Sequence, residues 1–143
     1  MSITLREITK DNWEDCIMLQ VADSQKEFVA PNIYSLAESK FETSFVPLSV
    51  YSGEEMVGFL MYGQDPEDGN YWLVRLMIDK NNQGRGYGKK AVALLIEALR
   101  QQTDQIIVGY KPDNLSAQKL YAAAGFRETG EIMHGEKIAI LRL

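Results

Sequence analysis

Cysteine and histidine are scarce in this chain, with Cys16 and His134 the only ones among 143 residues. One thiol allows neither an intrachain disulfide nor a cysteine metal cage. One imidazole, in a segment that reads as a hairpin turn, gives no support to a Ser/His/Asp constellation, and no metal site is expected. Positive charge is not in excess either. The 15 basic and 20 acidic side chains leave a net charge of −5, which argues against a general phosphate-backbone binder, so no nucleic-acid partner is expected. The first ten residues carry Arg6, Glu7 and Lys10 and no long apolar run. They read as neither secretory signal nor membrane anchor, so a cytoplasmic, reducing location without a membrane partner is expected. Internal repeats, low-complexity tracts and long linkers are lacking as well, and residues 1–143 read as one domain.

What is present is an ordinary globular composition, 45% hydrophobic and 24% charged, in a clear order of elements. Ile3, Leu5 and Ile8 suggest a first strand. Asp11 to Glu14 has capping-box spacing, with Trp13, Cys16, Ile17 and Val21 at helical intervals behind it. Cys16 on that apolar stripe reads as packing rather than as a nucleophile. A polar and aromatic loop, Gln25 to Tyr34, leads to a second helix expected to begin at Ser35. Strands follow at Val46 to Tyr51, Met56 to Tyr62 and Tyr71 to Ile78, the first two joined through Ser52-Gly53-Glu54. The clearest helix carries Val92, Leu95, Ile96 and Leu99 on one stripe. After a strand at Ile106 to Tyr110, Asn114 or a neighbour caps a helix that Gly125 ends, and a last hairpin turns at His134 to Glu136. This order predicts an α/β (α+β) fold, a mixed sheet with helices packed on it. The Tyr71 to Tyr110 segment should be a right-handed parallel crossover.

The most informative stretch is Gln83-Gly84-Arg85-Gly86-Tyr87-Gly88-Lys89, between the strongest strand and the strongest helix. Glycines there let unpaired N–H groups at the positive end of a helix dipole approach an anion, and Arg85 and Lys89 add charge. A P-loop would need a hydroxyl after the lysine, where Lys90 stands. A dinucleotide fingerprint would need Gly-x-Gly-x-x-Gly, whereas these glycines recur every second residue. A glycine turn that merely connects two elements would use the same residues.

Gln83-x-x-Gly86-x-Gly88 after a strand resembles the acyl-CoA pyrophosphate signature of the GNAT superfamily of N-acetyltransferases. Asn114-x-x-Ala117-x-x-Leu120-Tyr121-x-x-x-Gly125-Phe126 matches a second element of that family, at the expected distance downstream. The predicted element order also matches, so the resemblance covers nearly the whole chain. Three further segments resemble the Bacillus-type spermine/spermidine (diamine) acetyltransferases: Gln25 to Glu38, Val57 to Gly63, and Gly130-Glu131 through Gly135-Glu136-Lys137.

The resemblance implies a sheet of about seven strands and about four helices, whose two central parallel strands splay to admit the pantetheine arm. Acetyl-CoA is the implied donor, to a primary amine such as spermidine or spermine, with direct transfer and no acyl-enzyme. Cofactor contacts would come from the main chain of Leu76, Met77 and Ile78, with a bulge aiming the Leu76 N–H at the thioester carbonyl. Gln83, Gly84, Arg85, Gly86, Tyr87, Gly88, Lys89 and Asn114 would complete that site, and Tyr121 would be the general acid. The strand position where many members keep a glutamate holds Trp72. The base is therefore open between water relayed to Glu27 or another carboxylate and an amine that binds neutral. Glu27, Asn32 and Tyr34 are the acceptor candidates, a carboxylate with aromatic company suiting an alkylammonium ion. Acceptors of another class (a different small amine, an aminoglycoside or a protein N-terminus) share this scaffold, as does a catalytically silent acetyl-CoA-binding module. Many members are homodimers; the sequence does not fix the oligomeric state.

Overall fold

Seven stretches with strand-like patterning form one sheet in the computed structural model, which describes residues 2–143. The strands are β1 (Ile3–Glu7), β2 (Phe45–Ser52), β3 (Glu55–Gln64), β4 (Tyr71–Ile78), β5 (Gln105–Tyr110), β6 (Arg127–Met133) and β7 (Glu136–Arg142). The helices are α1 (Trp13–Met18), α2 (Asn32–Phe41), α3 (Tyr87–Leu99) and α4 (Leu115–Ala124). Strand order is β1-β2-β3-β4-β5-β7-β6. Among the described residues β4/β5 is the one parallel pair, joined through α3.

Strand alternation sends side chains to two different layers. On one face Val50, Leu60, Leu73, Val108 and Ala139 meet Val92, Leu95 and Leu99 of α3 and Tyr121 of α4. On the other, Phe59, Met61 and Met77 meet Cys16 of α1 and Leu36 of α2. Val92, Leu95 and Leu99 are at most 1% exposed, each worth about 1.5–3 kcal/mol of transfer free energy. That stripe anchors α3 and so fixes the glycine turn at its N-terminus.

Two helices depart from their sequence signals. Helix α2 starts at Asn32 rather than Ser35, because Pro31 is its N-cap, with φ −57° already suited to a helix start. Ser35 is therefore inside the helix and fully buried, and its hydroxyl finds no partner. At α1 the capping box does not form: Asn12 is the N-cap, but its side chain accepts from the Thr9 amide at 2.7 Å and donates to the Glu7 carbonyl at 3.0 Å. That helix ends at Met18, short of Val21. By contrast Asn114 caps α4, its Oδ1 accepting from the Ala117 amide at 3.2 Å, and Gly125 closes it at φ +104°.

Strands β4 and β5 pair only from Tyr71↔Ile106 to Leu73↔Val108. Beyond that point Val74–Ile78 and Gly109–Tyr110 have no mutual ladder, so the parallel strands splay. A bulge marks the point of divergence. Leu73 faces Tyr62 and Arg75 faces Met61, leaving Val74 as the extra residue on β4. The bulge thus falls at Val74 and not at Leu76.

Candidate active site

The splay opens into a cleft of about 780 Å³. Leu76, Met77 and Ile78 of β4 line its base, the turn from Gln83 to Lys89 one wall, and Asn114 and Tyr121 another. Arg85 is the one residue of that turn that does not line the cleft. Gly84 and Gly86 both hold φ +78°, a left-handed conformation that glycine adopts without strain. A Cβ built on either would meet nothing within 4 Å. What these glycines preserve is backbone shape and open space in front of the α3 N-terminus, where free N–H groups suit an anion. Gly88 is glycine for another reason: a Cβ there would approach Leu120 Cδ1 to 3.0 Å, so α3 and α4 need it small.

Gln83 does not project its amide into solvent. Its Nε2 donates to the Ile78 carbonyl at 2.9 Å and to Gln25 Oε1 at 2.8 Å, tying the turn to the end of β4 and to the loop after α1. The Tyr87 hydroxyl accepts from Ser52 Oγ at 3.4 Å, and hydrogen bonding to Ser52 and Arg85 lowers its pKa.

Tyr121 stands at the inner end of the cleft, 7% exposed. Its ring stacks on Tyr110 at 5.8 Å and meets Phe126 edge-on at 5.5 Å. Burial first, then the charge of Glu136 and the proximity of Tyr110, push its pKa above the ordinary phenol range. The phenol is therefore protonated at neutral pH, and among the described residues no protein group accepts a hydrogen bond from its hydroxyl. The Tyr110 hydroxyl, in contrast, donates to Glu128 Oε2, which sits 3.8 Å across its other oxygen from Lys137 Nζ. Cys16 is fully buried, and desolvation pushes its thiol up to about 12, against the smaller opposing effect of Asn32. It is packing, not a nucleophile.

A second cavity of about 480 Å³ lies against Phe45 and Trp72. Glu38, Glu42, Asp65 and Glu136 supply four carboxylates to its wall, and Arg75 the one cation. Arg75 is already paired, its Nη2 lying 3.2 Å from Glu38 Oε1, with both side chains about three-quarters buried. The two cavities share Leu73, Val74, Arg75, Gly109 and Glu136, so they meet where the strands part.

The acceptor candidates read from the sequence do not gather here. Glu27, Asn32 and Tyr34 line neither cavity. Because α2 begins early, Asn32 is 3% exposed, its amide donating to the Cys16 carbonyl at 2.9 Å with Met77 Sδ 3.7 Å away. Tyr34 is 56% exposed, and Glu27 meets the Lys111 ammonium only through its carbonyl, at 2.8 Å. The carboxylates that do line a cavity were not singled out as acceptor groups. Glu136 reads in sequence as a turn residue, and Asp65 as part of a solvated acidic turn. Among the described residues no cluster suited to hold a metal ion occurs, and no helix is long and apolar enough to cross a membrane.

Splayed parallel strands, a glycine turn at a helix N-terminus and a buried phenol together make up the cleft. The profile of the Acetyltransferase (GNAT) family matches residues 4–126, and the chain belongs to that family. It is 33% identical over 152 aligned positions to the "Probable spermine N(1)-acetyltransferase" of Bacillus subtilis subsp. natto, covering 100% of both chains. The "Spermine/spermidine N(1)-acetyltransferase" of Bacillus subtilis strain 168 is 32% identical, again over 100% of both. A PaiA N-acetyltransferase of Thermoplasma acidophilum, solved in complex with coenzyme A, shares the fold at TM-score 0.74 and 13% identity, covering 100% of each chain. The protein is an acetyltransferase of the GNAT type.

Proposed function

We propose that the protein transfers the acetyl group of acetyl-CoA to a primary amine of a polyamine such as spermidine or spermine. The observation that carries the acceptor class is the second cavity, lined by an Arg75–Glu38 pair and by three further acidic residues, Glu42, Asp65 and Glu136. A flexible polycation suits such a wall, with Trp72 and Phe45 offering aromatic faces to its methylenes and ammonium groups. The names of the two Bacillus subtilis relatives favour the same class. The reading takes residues 1–143 as one catalytic domain.

Acetyl-CoA fits the first cleft on an observation independent of family. Gly84 and Gly86 keep an open, positive-φ cradle at a helix N-terminus, which a side chain would fill. Its diphosphate would be held by main-chain amides from Gln83 to Gly88, aided by Lys89. Its amide arm would run along the unladdered edge of β4 at Leu76–Ile78, like an added strand, with Asn114 alongside. When bound it supplies an activated thioester. The chain's own residues do the rest. The Leu76 N–H is the donor proposed for the carbonyl oxygen, worth on the order of 3 kcal/mol. Tyr121 holds the proton that the leaving sulfur takes. Holding the amine in the acidic cavity, in line with the junction, converts a bimolecular encounter into a local one.

The test is a thiol-release assay with spermidine, spermine, amino acids and aminoglycosides as acceptors. Polyamines should give the highest kcat/KM by at least about tenfold, a difference of about 1.4 kcal/mol in transition-state binding. Equal or higher values with amino acids or aminoglycosides would contradict the acceptor assignment. Acetyl-CoA binding without acceleration by any amine would make the protein a binding module.

A further inference from the structure

The residue that takes the proton from the incoming ammonium group can be assigned from the junction of the two cavities; the assignment rests on the amine-acetyltransferase reading above. Of the five residues that line both cavities, only Arg75 and Glu136 are ionisable. Arg75 is engaged with Glu38 at 3.2 Å. Glu136 is half-buried at the start of β7, and its side chain has no hydrogen-bond or ion-pair partner among the described residues. Its carboxylate lies over bare backbone, because a Cβ at Gly109 would come within 2.9 Å of Glu136 Oε1. Gly109 is the first β5 residue beyond the last rung with β4, Leu73↔Val108. The absent side chain therefore makes room for a carboxylate where the strands separate. Glu38, Glu42 and Asp65 line the acceptor cavity alone, placed for the rest of a polycation and not for the reacting nitrogen.

We infer that Glu136 is the general base of the transfer, lining the same cleft as Tyr121. The charged and titratable residues that share a cavity wall with it are Arg75 of β4, Tyr110 of β5, Tyr87 and Lys89 of α3, Lys119 and Tyr121 of α4, Glu38 of α2, and Glu42 and Asp65 in turns. The acceptor's ammonium gives one proton to the Glu136 carboxylate, which frees the nitrogen lone pair. That pair forms the C–N bond to the acetyl carbon, and the C–S bond breaks with its electrons leaving on sulfur. The thiolate takes the Tyr121 proton, the second nitrogen proton restores the phenol, and Glu136 returns its proton to solvent. The net products are amide, thiol and one proton, and no oxidant or further reactant is required.

The experiment is the pH dependence of kcat for spermidine acetylation by wild type and by Glu136→Gln. Near neutral pH the variant should lose about 10²- to 10⁴-fold in kcat, the usual reach of a general base. Its kcat/KM should then climb about tenfold per pH unit toward the amine's pKa near 10, as free amine replaces ammonium. Wild type should lack that climb. Acetyl-CoA affinity measured by calorimetry should be unchanged in the variant, which also reports that it folds. Glu42→Gln provides the contrast: it should raise the polyamine KM by a factor that does not vary with pH. A Glu136→Gln defect that is constant with pH, or confined to the acceptor KM, overturns the assignment, as does wild-type kcat. A wild-type protein that acetylates no amine at all contradicts the parent reading, and this one with it.

Discussion

At Tyr121 burial keeps the proton in place but also makes the phenol a weaker acid, so donation depends on the charge that builds on the leaving sulfur. A phenol 7% exposed beside a carboxylate holds its proton more tightly than one in water, so it is fully protonated wherever the enzyme works. Its hydroxyl has no protein partner to lose, so Tyr121→Phe should barely move the unfolding midpoint. It should lower kcat by about 10²-fold and leave acetyl-CoA affinity intact, measured by steady-state kinetics beside calorimetry. Unchanged turnover would remove Tyr121 as the acid. Cys16 offers the converse case. With its pKa raised to about 12 and no exposure, the thiol stays protonated and shielded, and thiolate forms only far above neutral pH. Iodoacetamide at mildly alkaline pH should label it only after denaturant unfolds the chain; rapid labelling of native protein would contradict this burial.

Individual elements succeed or fail in sequence according to how local their causes are. The glycine turn and α3 were legible because φ requirements and an apolar stripe are written in adjacent residues. Helix α2 starts three residues before the expected Ser35, because Pro31 at its N-cap already holds a φ suited to a helix start. The same logic separates two glycines that look alike on paper. Gly86→Ala meets open space, so its cost is the left-handed backbone, about 1 kcal/mol or slightly more, together with a weakened anion cradle. Its KM for acetyl-CoA should rise on the order of tenfold. Gly58 on β3 is different: a Cβ there would fall 2.6 Å from the Met77 carbonyl and 2.7 Å from Ile78 Cδ1. Gly58→Ala must push on the end of β4 and should cost about 1–3 kcal/mol in urea unfolding. A variant as stable as wild type would show that β4 is softer than its packing suggests.

For the molecule as a whole, the proposed acceptor cavity is the least legible part, and topology explains why. Glu136 reaches the junction only because β7 inserts between β5 and β6, a pairing that no local pattern encodes. Glu38, Glu42 and Asp65 come from α2 and two turns that meet across the sheet. The candidates read from sequence, Glu27, Asn32 and Tyr34, line neither cavity. The charge of −5, which by itself only argues against a phosphate-backbone binder, gains meaning once four acidic residues are found lining one cavity. Such a wall attracts a polycation through a field that salt screens within about 10 Å at 0.1 M. The kcat/KM for spermidine should fall several-fold as ionic strength rises while kcat at saturation changes little; indifference to salt would contradict electrostatic capture.

The account depends most on main chain from β4 and the glycine turn holding the cofactor. Titrating ¹⁵N-labelled protein with acetyl-CoA while following backbone amides tests that directly. The amides of Leu76 to Ile78 and Gln83 to Gly88 should show the largest shifts, saturating together, whereas those of the exposed strand β6 should stay in place. Shifts that spare both segments, or no saturable change at all, would contradict it.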